Sequence, residues 1–381
     1  MIRTRGVLIA GLVGMAALAA LTACKGKASS TRSQAASGSA SSASSAGSAA
    51  SKDVGSAHAG DPWVQVDAAP DTPEARQKRA DAALGRVAAI MPELAKLRAL
   101  TFDRDVPREL QPPDVFRTFV RTEIAKDLPP DKSHDQSAAL FQLGLLKQAV
   151  DLAQVEEQAF TTQAGAYYDP ATKKFFVVMV PDSDLMLDTM SAHELTHALQ
   201  DQHFDLKAFL PTKADGTSAL DDDQASARRF IAEGDATLAM LIYGVAHPLK
   251  KASVDAGMIK MLEPSVKQFS SMDLAQLTAM NKEQSAAFGS MDPEIKKSMD
   301  AMETIPPIIL APMIDSYMKG AWVCLVAFEH GGWPAVNELY KDPPESTEQV
   351  LHPETKLYPH RDHPRKVTLP APSRRRSAPA T

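Results

Sequence analysis

The sequence predicts a mainly helical domain of the α+β class, with a small β-hairpin or sheet beside its central helix. Apolar residues recur at helical spacing along several segments, of which residues 74–100 are the clearest. Residues 166–180 are instead rich in aromatic and β-branched residues on both sides of a turn. Both patterns fall within residues 62–365, which we interpret as one folded domain.

The first predicted helix covers residues 74–100 and has one apolar face, formed by Ala83, Leu84, Val87, Ile90, Leu94 and Leu97. Further helices are predicted over residues 115–128 and 136–160. An apolar helix pair is predicted over residues 308–340, with a break at Gly331-Gly332-Trp333-Pro334. Residues 101–113 contain three prolines and are expected to form a loop or an edge strand.

The predicted hairpin consists of residues 166–168 and 174–180, joined by a turn at 169–173 that contains Asp and Pro. A sheet edge beside a catalytic helix can bind a substrate backbone by strand addition. The alternative interpretation is a small sheet that only covers the helix.

The run His193-Glu194-Leu195-Thr196-His197 indicates a metal site. Residues four apart in a helix are offset by about 40°, so the two imidazoles project from one face. Glu194 is too far around the helix to be a ligand, but it can reach a water molecule at the metal. Apolar neighbours at helical spacing predict that this helix is buried. The pattern is typical of a hydrolytic zinc site.

A catalytic zinc site needs a third protein ligand, and the sequence offers two candidates. His203 has the spacing of a third histidine in HExxHxxGxxH, but Gln200 replaces the glycine that lets the chain leave the helix. If the helix continues, His203 points about 240° away from His197. Glu233 lies in a second predicted helix, where Gly234 would allow a close approach to the first helix. We therefore favour Glu233.

The sequence around these residues resembles a family of bacterial, often lipid-anchored zinc metallopeptidases. Residues 193–202 read His-Glu-Leu-Thr-His-Ala-Leu-Gln-Asp-Gln and resemble the HELxHALQDQ motif of that family. Glu233-Gly234-Asp235-Ala236 resembles its EG(D/E)A helix, and similar patterns occur at residues 165–170 and 346–353. The resemblance covers residues 95–357.

This resemblance implies a gluzincin-type peptidase with a zincin-like helical domain. It makes His193, His197 and Glu233 the ligands of one Zn2+ ion and Glu194 the general base. The implied substrate is a peptide or protein, and because no terminus-binding motif is present, an endopeptidase is favoured. The alternative function is that of a catalytically inactive zincin-fold lipoprotein that acts as a binding or assembly module.

Peptide hydrolysis needs a donor for the oxyanion besides the metal. His352 is the first candidate, and the other candidates are the tyrosines Tyr167, Tyr168 and Tyr317. A metal-bound histidine also needs an acceptor for its outer N–H. Asp235 and Asp201 are equal candidates for this second role.

The N-terminus predicts export and a membrane anchor. Arg3 and Arg5 precede a short apolar stretch that ends in Leu21-Thr22-Ala23-Cys24. This segment resembles a bacterial lipoprotein signal, which implies removal of residues 1–23 and acylation of Cys24. An acidic residue directly after the cysteine would favour the inner membrane. Because Lys25 stands at that position, we expect anchoring to the outer membrane, with the domain in the periplasm or at the cell surface.

Residues 24–61 are rich in Ser and Ala and predict a flexible tether, and residues 366–381 predict a disordered basic tail. The net charge is −6, with acidic and basic residues interspersed, which argues against nucleic-acid binding. The chain has 2 cysteines; with Cys24 acylated, Cys324 is expected to be a buried free thiol. The sequence does not predict an oligomeric state.

Overall fold

The computed structural model describes residues 8–9, 72–163, 165–180, 183–213, 217–279, 301, 303–365 and 367–368. Cys24 and the expected tether lie outside the described residues. Of the expected signal peptide only Leu8–Ile9 is described, and of the expected basic tail only residues 367–368. The expectations for these segments therefore stay predictions.

The described chain is mainly helical, as the sequence predicts. Its helices are α1 (Pro73–Arg98), α2 (Pro113–Asp127), α3 (Pro130–Gln142), α4 (Leu152–Gln163), α5 (Asp184–Phe204), α6 (Leu206–Phe209), α7 (Asp222–Ala246), α8 (Ala256–Ser271), α9 (Pro307–Lys341) and α10 (Thr347–Leu351). A π-helical turn, Pro353–Leu357, follows α10.

The prediction of one helix over residues 136–160 is wrong, because α3 and α4 are separate there. Gly144 has a φ of +73°, a conformation that side-chain-bearing residues rarely adopt and that ends the helix. The Ser137 hydroxyl accepts a hydrogen bond from the Val150 amide at 2.8 Å and fixes the connection. Leu146 inside this connection packs in the same core cluster as Leu152, so the apolar pattern continues across the break.

The strands form one sheet with the order β1-β3-β4-β2, where β1 is Leu8–Ile9, β2 is Arg108–Leu110, β3 is Ala166–Asp169 and β4 is Lys174–Val177. β3 and β4 form the predicted hairpin, with Tyr168 opposite Phe175. β2 is an edge strand, parallel to β4. β1 pairs antiparallel with β3 and belongs to the segment that we expect to be removed.

The core of the domain is built on α7, whose central part is fully buried between α5 and α9. α9 has the predicted break, since Gly331 and Gly332 have non-helical backbone angles and Gly332 has a φ of +65°. Among the described residues, α9 is the one helix long and apolar enough to span a membrane, but 72% of its apolar window is buried inside the domain. Its apolar character is therefore explained by packing in the core.

Cys324 lies in the middle of α9 and is a buried free thiol, as predicted. Burial raises its pKa well above the usual value for a thiol, so the side chain stays protonated. The described part of the domain is therefore held together by its apolar core and by buried polar contacts.

Candidate metal centre

Helix α5 places both histidines of the predicted metal site. It begins after the N-cap Ser183, continues through Gln200 and ends at Phe204. Because the helix does not stop at Gln200, His203 lies on another side, where its Nε2 is 2.7 Å from the carbonyl oxygen of Thr101. The third group that reaches the two histidines is Glu233 of α7.

The side chains of His193, His197 and Glu233 converge. His193 Nε2 lies 3.1 Å from His197 Nε2 and 3.2 Å from Glu233 Oε2, and His197 Nε2 lies 3.4 Å from the same oxygen. Ligand atoms about 2.0–2.1 Å from a tetrahedral zinc ion are about 3.3 Å apart. The three separations thus fit one zinc ion without rearrangement, and two imidazoles with a carboxylate are a donor set that suits this metal.

The three side chains are at most 5% exposed, and their charges depend on one another. Burial acts to lower the pKa of His197, but the hydrogen bond and charge of Glu233 outweigh it and raise this pKa to about 9. Burial acts to raise the pKa of Glu233, and hydrogen bonds from the two histidines lower it to about 2. Burial lowers the pKa of His193. A cation that binds here must therefore replace a proton on His197.

Glu194 is fully buried on the side of α5 that faces the hairpin. Its Oε2 accepts a hydrogen bond from the backbone amide of Tyr168 in β3 at 2.7 Å. This contact fixes the carboxylate next to the sheet, one residue along the helix from the ligand His193. The negative charge of Glu194 also contributes to the raised pKa of His197.

Gln200 connects His197 to Asp235. The Nδ1 of His197 lies 2.9 Å from Gln200 Oε1, an amide oxygen that can only accept, so Nδ1 carries the proton and Nε2 is left for a metal. The amide nitrogen of Gln200 donates to the Ala232 carbonyl at 2.9 Å and to Asp235 Oδ2 at 3.1 Å. Asp235 therefore orients the metal ligand through Gln200, whereas we expected a direct contact.

Arg98 of α1 neutralises the buried charge of Asp235. The guanidinium donates to both carboxylate oxygens, at 2.7 and 3.0 Å, and its side chain is fully buried. With the bond from Gln200 already described, Tyr340 donates a fourth hydrogen bond to Asp235, at 2.9 Å. The ring of Trp333 covers the guanidinium at 4.3 Å. Neither Arg98 nor Gln200 was predicted to support the metal ligands; the available signals were a cation beside the buried Leu97 and an amide one turn after His197.

The other acidic candidate, Asp201, has a different environment. Its Oδ2 accepts hydrogen bonds from the Tyr168 hydroxyl at 2.7 Å and from Lys173 Nζ at 2.6 Å. It makes no hydrogen bond to a metal ligand within the described residues, so it supports the hairpin instead of a histidine.

Gly234 allows a close helix approach, but the helix is not the one we expected. A Cβ atom placed on Gly234 would lie 2.0 Å from the carbonyl carbon of Gly320, which belongs to α9. The expectation that Gly234 faces the histidine helix is therefore wrong. Its role is to let α7 and α9 touch through their backbones.

The candidate oxyanion donors lie in different places. The ring of Tyr317 is 5.6 Å from the ring of His193, whereas Tyr167 packs against Phe176 and donates its hydroxyl proton to Gln111. His352 is exposed at the end of α10, and no hydrogen bond or ring contact joins it to the described metal ligands. Its catalytic role stays a prediction that no contact supports.

Arg229 adds a positive charge one turn before Glu233 in α7. Burial lowers its pKa, and the charges of Glu233 and Tyr317 act in the opposite direction. Arg229 therefore lies within electrostatic range of a metal ligand and of the tyrosine beside His193.

No protein-family model, no curated protein and no solved structure matches this chain. A functional conclusion therefore depends on the residues and their geometry.

Proposed function

We propose that this chain is a zinc-dependent peptidase that is anchored to the bacterial cell envelope through Cys24. The observation that carries the proposal is the triangle of His193 Nε2, His197 Nε2 and Glu233 Oε2, with sides of 3.1 to 3.4 Å. These residues would hold one zinc ion. Among the described residues, this is the group of His, Cys, Asp and Glu side chains whose potential ligand atoms lie close enough together to hold one metal ion.

A bound zinc ion would polarise a peptide carbonyl and activate a water molecule for attack. Glu194 is the residue of this chain that takes the proton of that water and passes it to the leaving amine. The Tyr168 amide holds its carboxylate in place, at 2.7 Å. Gln200 keeps the Nδ1 proton of His197, which leaves the Nε2 lone pair for the metal.

Tyr317 is the donor that we assign to the oxyanion. Its ring lies beside His193, and its hydroxyl group can donate a hydrogen bond to an oxygen at the metal. Arg229 adds positive charge within electrostatic range of Glu233 and Tyr317. Tyr317 replaces His352 as the preferred donor.

A second candidate function is a metal-stabilised binding or assembly module without turnover. One observation favours it, which is the burial of the whole centre, with the ligands at most 5% exposed and Glu194 fully buried. A zinc ion that only stabilises the fold is commonly enclosed in this way, whereas a catalytic zinc ion keeps one coordination position open for water or substrate.

Metal analysis and peptide cleavage separate these functions. The peptidase proposal expects one zinc per chain, cleavage of a peptide library that a chelator abolishes, and no cleavage by Glu194→Gln with its zinc retained. One zinc per chain without cleavage in any variant would favour the module. Absence of zinc from the purified chain and from the chain reconstituted with zinc would contradict both.

Localisation is tested separately. Radiolabelled fatty acid should be incorporated into the chain and lost in Cys24→Ala, and fractionation should recover the labelled chain with the outer membrane. Recovery of an unlabelled chain from the soluble fraction would refute the anchor while leaving the peptidase proposal intact.

A further inference from the structure

A cavity of about 800 Å3 lies at the C-terminal end of α5, apart from the metal ligands. Its lining includes four cationic side chains, those of Arg104, Lys173, Lys207 and Lys341. The volume is in the range of small-molecule sites. Because the whole chain has a net charge of −6, this concentration of positive charge does not follow from the composition.

Two of the four cations have their charge balanced. Lys173 donates to Asp201 at 2.6 Å, and Lys341 donates to Glu338 at 3.1 Å. The side chains of Arg104 and Lys207 make no hydrogen bond or ion pair with any residue that the structure describes. Two cations of the cavity, Arg104 and Lys207, therefore have no ion-pair partner among the described residues.

The negative groups nearby do not remove this excess. Asp205 also lines the cavity, but its carboxylate accepts a hydrogen bond from the Ala208 amide and caps α6. The C-terminus of α5 contributes roughly half a negative charge. Even with Asp205 counted in full, the cationic side chains of the cavity outnumber the anionic ones.

We propose that this cavity binds a phosphate ester, with the phosphate group between Arg104 and Lys207. A planar guanidinium binds two phosphate oxygens at once, and an ammonium adds a point charge, so the pair matches a dianion. Phe204 and Tyr340 line the same cavity as stacked rings with centroids 4.2 Å apart. They offer an apolar wall to the organic part of the ester.

None of the residues that line the cavity is one of the described metal ligands, and Tyr168 links the two regions. The hydroxyl group of this tyrosine bonds to Asp201, which lines the cavity, while its backbone amide bonds to Glu194. Phosphate binding is therefore expected to need neither zinc nor an active Glu194. The inference is independent of the proposed peptidase activity.

The test is a calorimetric titration of the full, metal-stripped chain with inorganic phosphate. Stripping removes zinc, which would itself bind phosphate. We expect saturable binding of one phosphate per chain with a Kd on the order of 1 mM. Arg104→Gln and Lys207→Gln should each weaken binding about 10-fold, since each removes one charge-assisted contact.

Lys147→Gln is the matched control, because Lys147 is an exposed cation that does not line the cavity. It should bind phosphate as the parent chain does. Binding that does not saturate, or that is equal in the parent and in both cavity variants, would overturn the proposal. Circular dichroism checks that the variants are folded; because both side chains are exposed, their loss should not unfold the domain.

A second arm identifies the source of the phosphate group. Glycerol 3-phosphate and vesicles of phosphatidic acid in phosphatidylcholine offer the same phosphate monoester in soluble and in membrane form. Both should compete with inorganic phosphate if the site accepts lipid headgroups, and only the soluble ester should compete if it does not. Failure of both to compete would overturn the proposal.

Discussion

Gly234 of α7 and Gly320 of α9 pack backbone against backbone, so that a Cβ atom on Gly234 would lie 2.0 Å from the Gly320 carbonyl carbon and 2.1 Å from its oxygen. Glu233, the third metal ligand, is the residue before Gly234. The position of this ligand is therefore set by contact between two helices that are each buried in the core.

Gly234→Ala should destabilise the domain by about 3 kcal/mol or more, because the added methyl group meets backbone that cannot move aside. Urea unfolding measures this change. Gly85→Ala in α1 is the control, since nothing lies within 4 Å of its added Cβ. That variant should be as stable as the parent or more stable by up to about 1 kcal/mol. Equal stability of both variants would contradict the packing argument.

Gln200→Met should weaken zinc binding about 10- to 100-fold, because the Nδ1 proton of His197 loses its acceptor. Competition with a chromophoric chelator measures the affinity. Gln202→Met, which loses contacts to the Arg104 backbone instead, should bind zinc as the parent does. Parent-like affinity in Gln200→Met would show that this amide does not position the ligand.

Tyr317→Phe should lower kcat about 100-fold with little change in KM and with zinc retained, because it removes one donor to the oxyanion. Steady-state cleavage of a peptide substrate measures both constants. Tyr167→Phe is the matched control, since the hydroxyl of Tyr167 bonds to Gln111. If the two variants have the same kcat, Tyr317 is not the donor.

Zinc affinity should rise by about tenfold between pH 7 and pH 8 and then level off as the pH approaches 9. The pKa of His197 is raised to about 9 in the metal-free fold, so zinc must displace one proton below that pH. In the metal-free chain, the folding stability changes with pH in the opposite direction to the zinc affinity. The positive charge of His197 stabilises the fold fully below about pH 6.5, and this stabilisation is lost as the pH rises towards 9.

Melting temperatures with and without zinc therefore should diverge as the pH rises over this range. The rise of zinc affinity with pH should be absent in His197→Gln, because this variant has no proton to lose at this position. An affinity that does not change between pH 7 and pH 9 would contradict the proton displacement.

Arg98→Met should cost about 3–5 kcal/mol, because it leaves the charge of Asp235 buried without its cation. The double variant with Asp235→Asn should recover part of this loss. Arg121→Met is the control, because the arginine of its ion pair with Glu157 is exposed to solvent and the loss of stability should be much smaller. Urea unfolding of the metal-free chains compares them, and equal losses for Arg98 and Arg121 would refute the role of burial.

Local patterns predicted the parts of the site that depend on one element. The spacing of His193 and His197 is enough to place both rings on one helical face, and Gln200 in place of glycine correctly predicted that α5 continues past it. The mainly helical fold, the hairpin and the break at Gly332 also follow from short segments.

Contacts between distant segments could not be predicted in this way. Arg98 and Asp235 are 137 residues apart in the chain, and nothing in the sequence around either names the other. The partner of Gly234 was assigned to the wrong helix for the same reason, since a small residue indicates a close approach but not its partner. Gly144 was overlooked because the apolar spacing runs through it.

The hydrogen-bond network behind His197 joins residues of α1, α5, α7 and α9. Within this network, Asp235 and Tyr340 are 105 residues apart in the chain. Such long loops close slowly, and on the ribosome the histidines emerge well before Tyr340 is synthesised. The histidines thus acquire their final orientation only after nearly the whole chain has left the exit tunnel. Metal loading is therefore expected to be a late event in the biogenesis of this protein, after the core has formed.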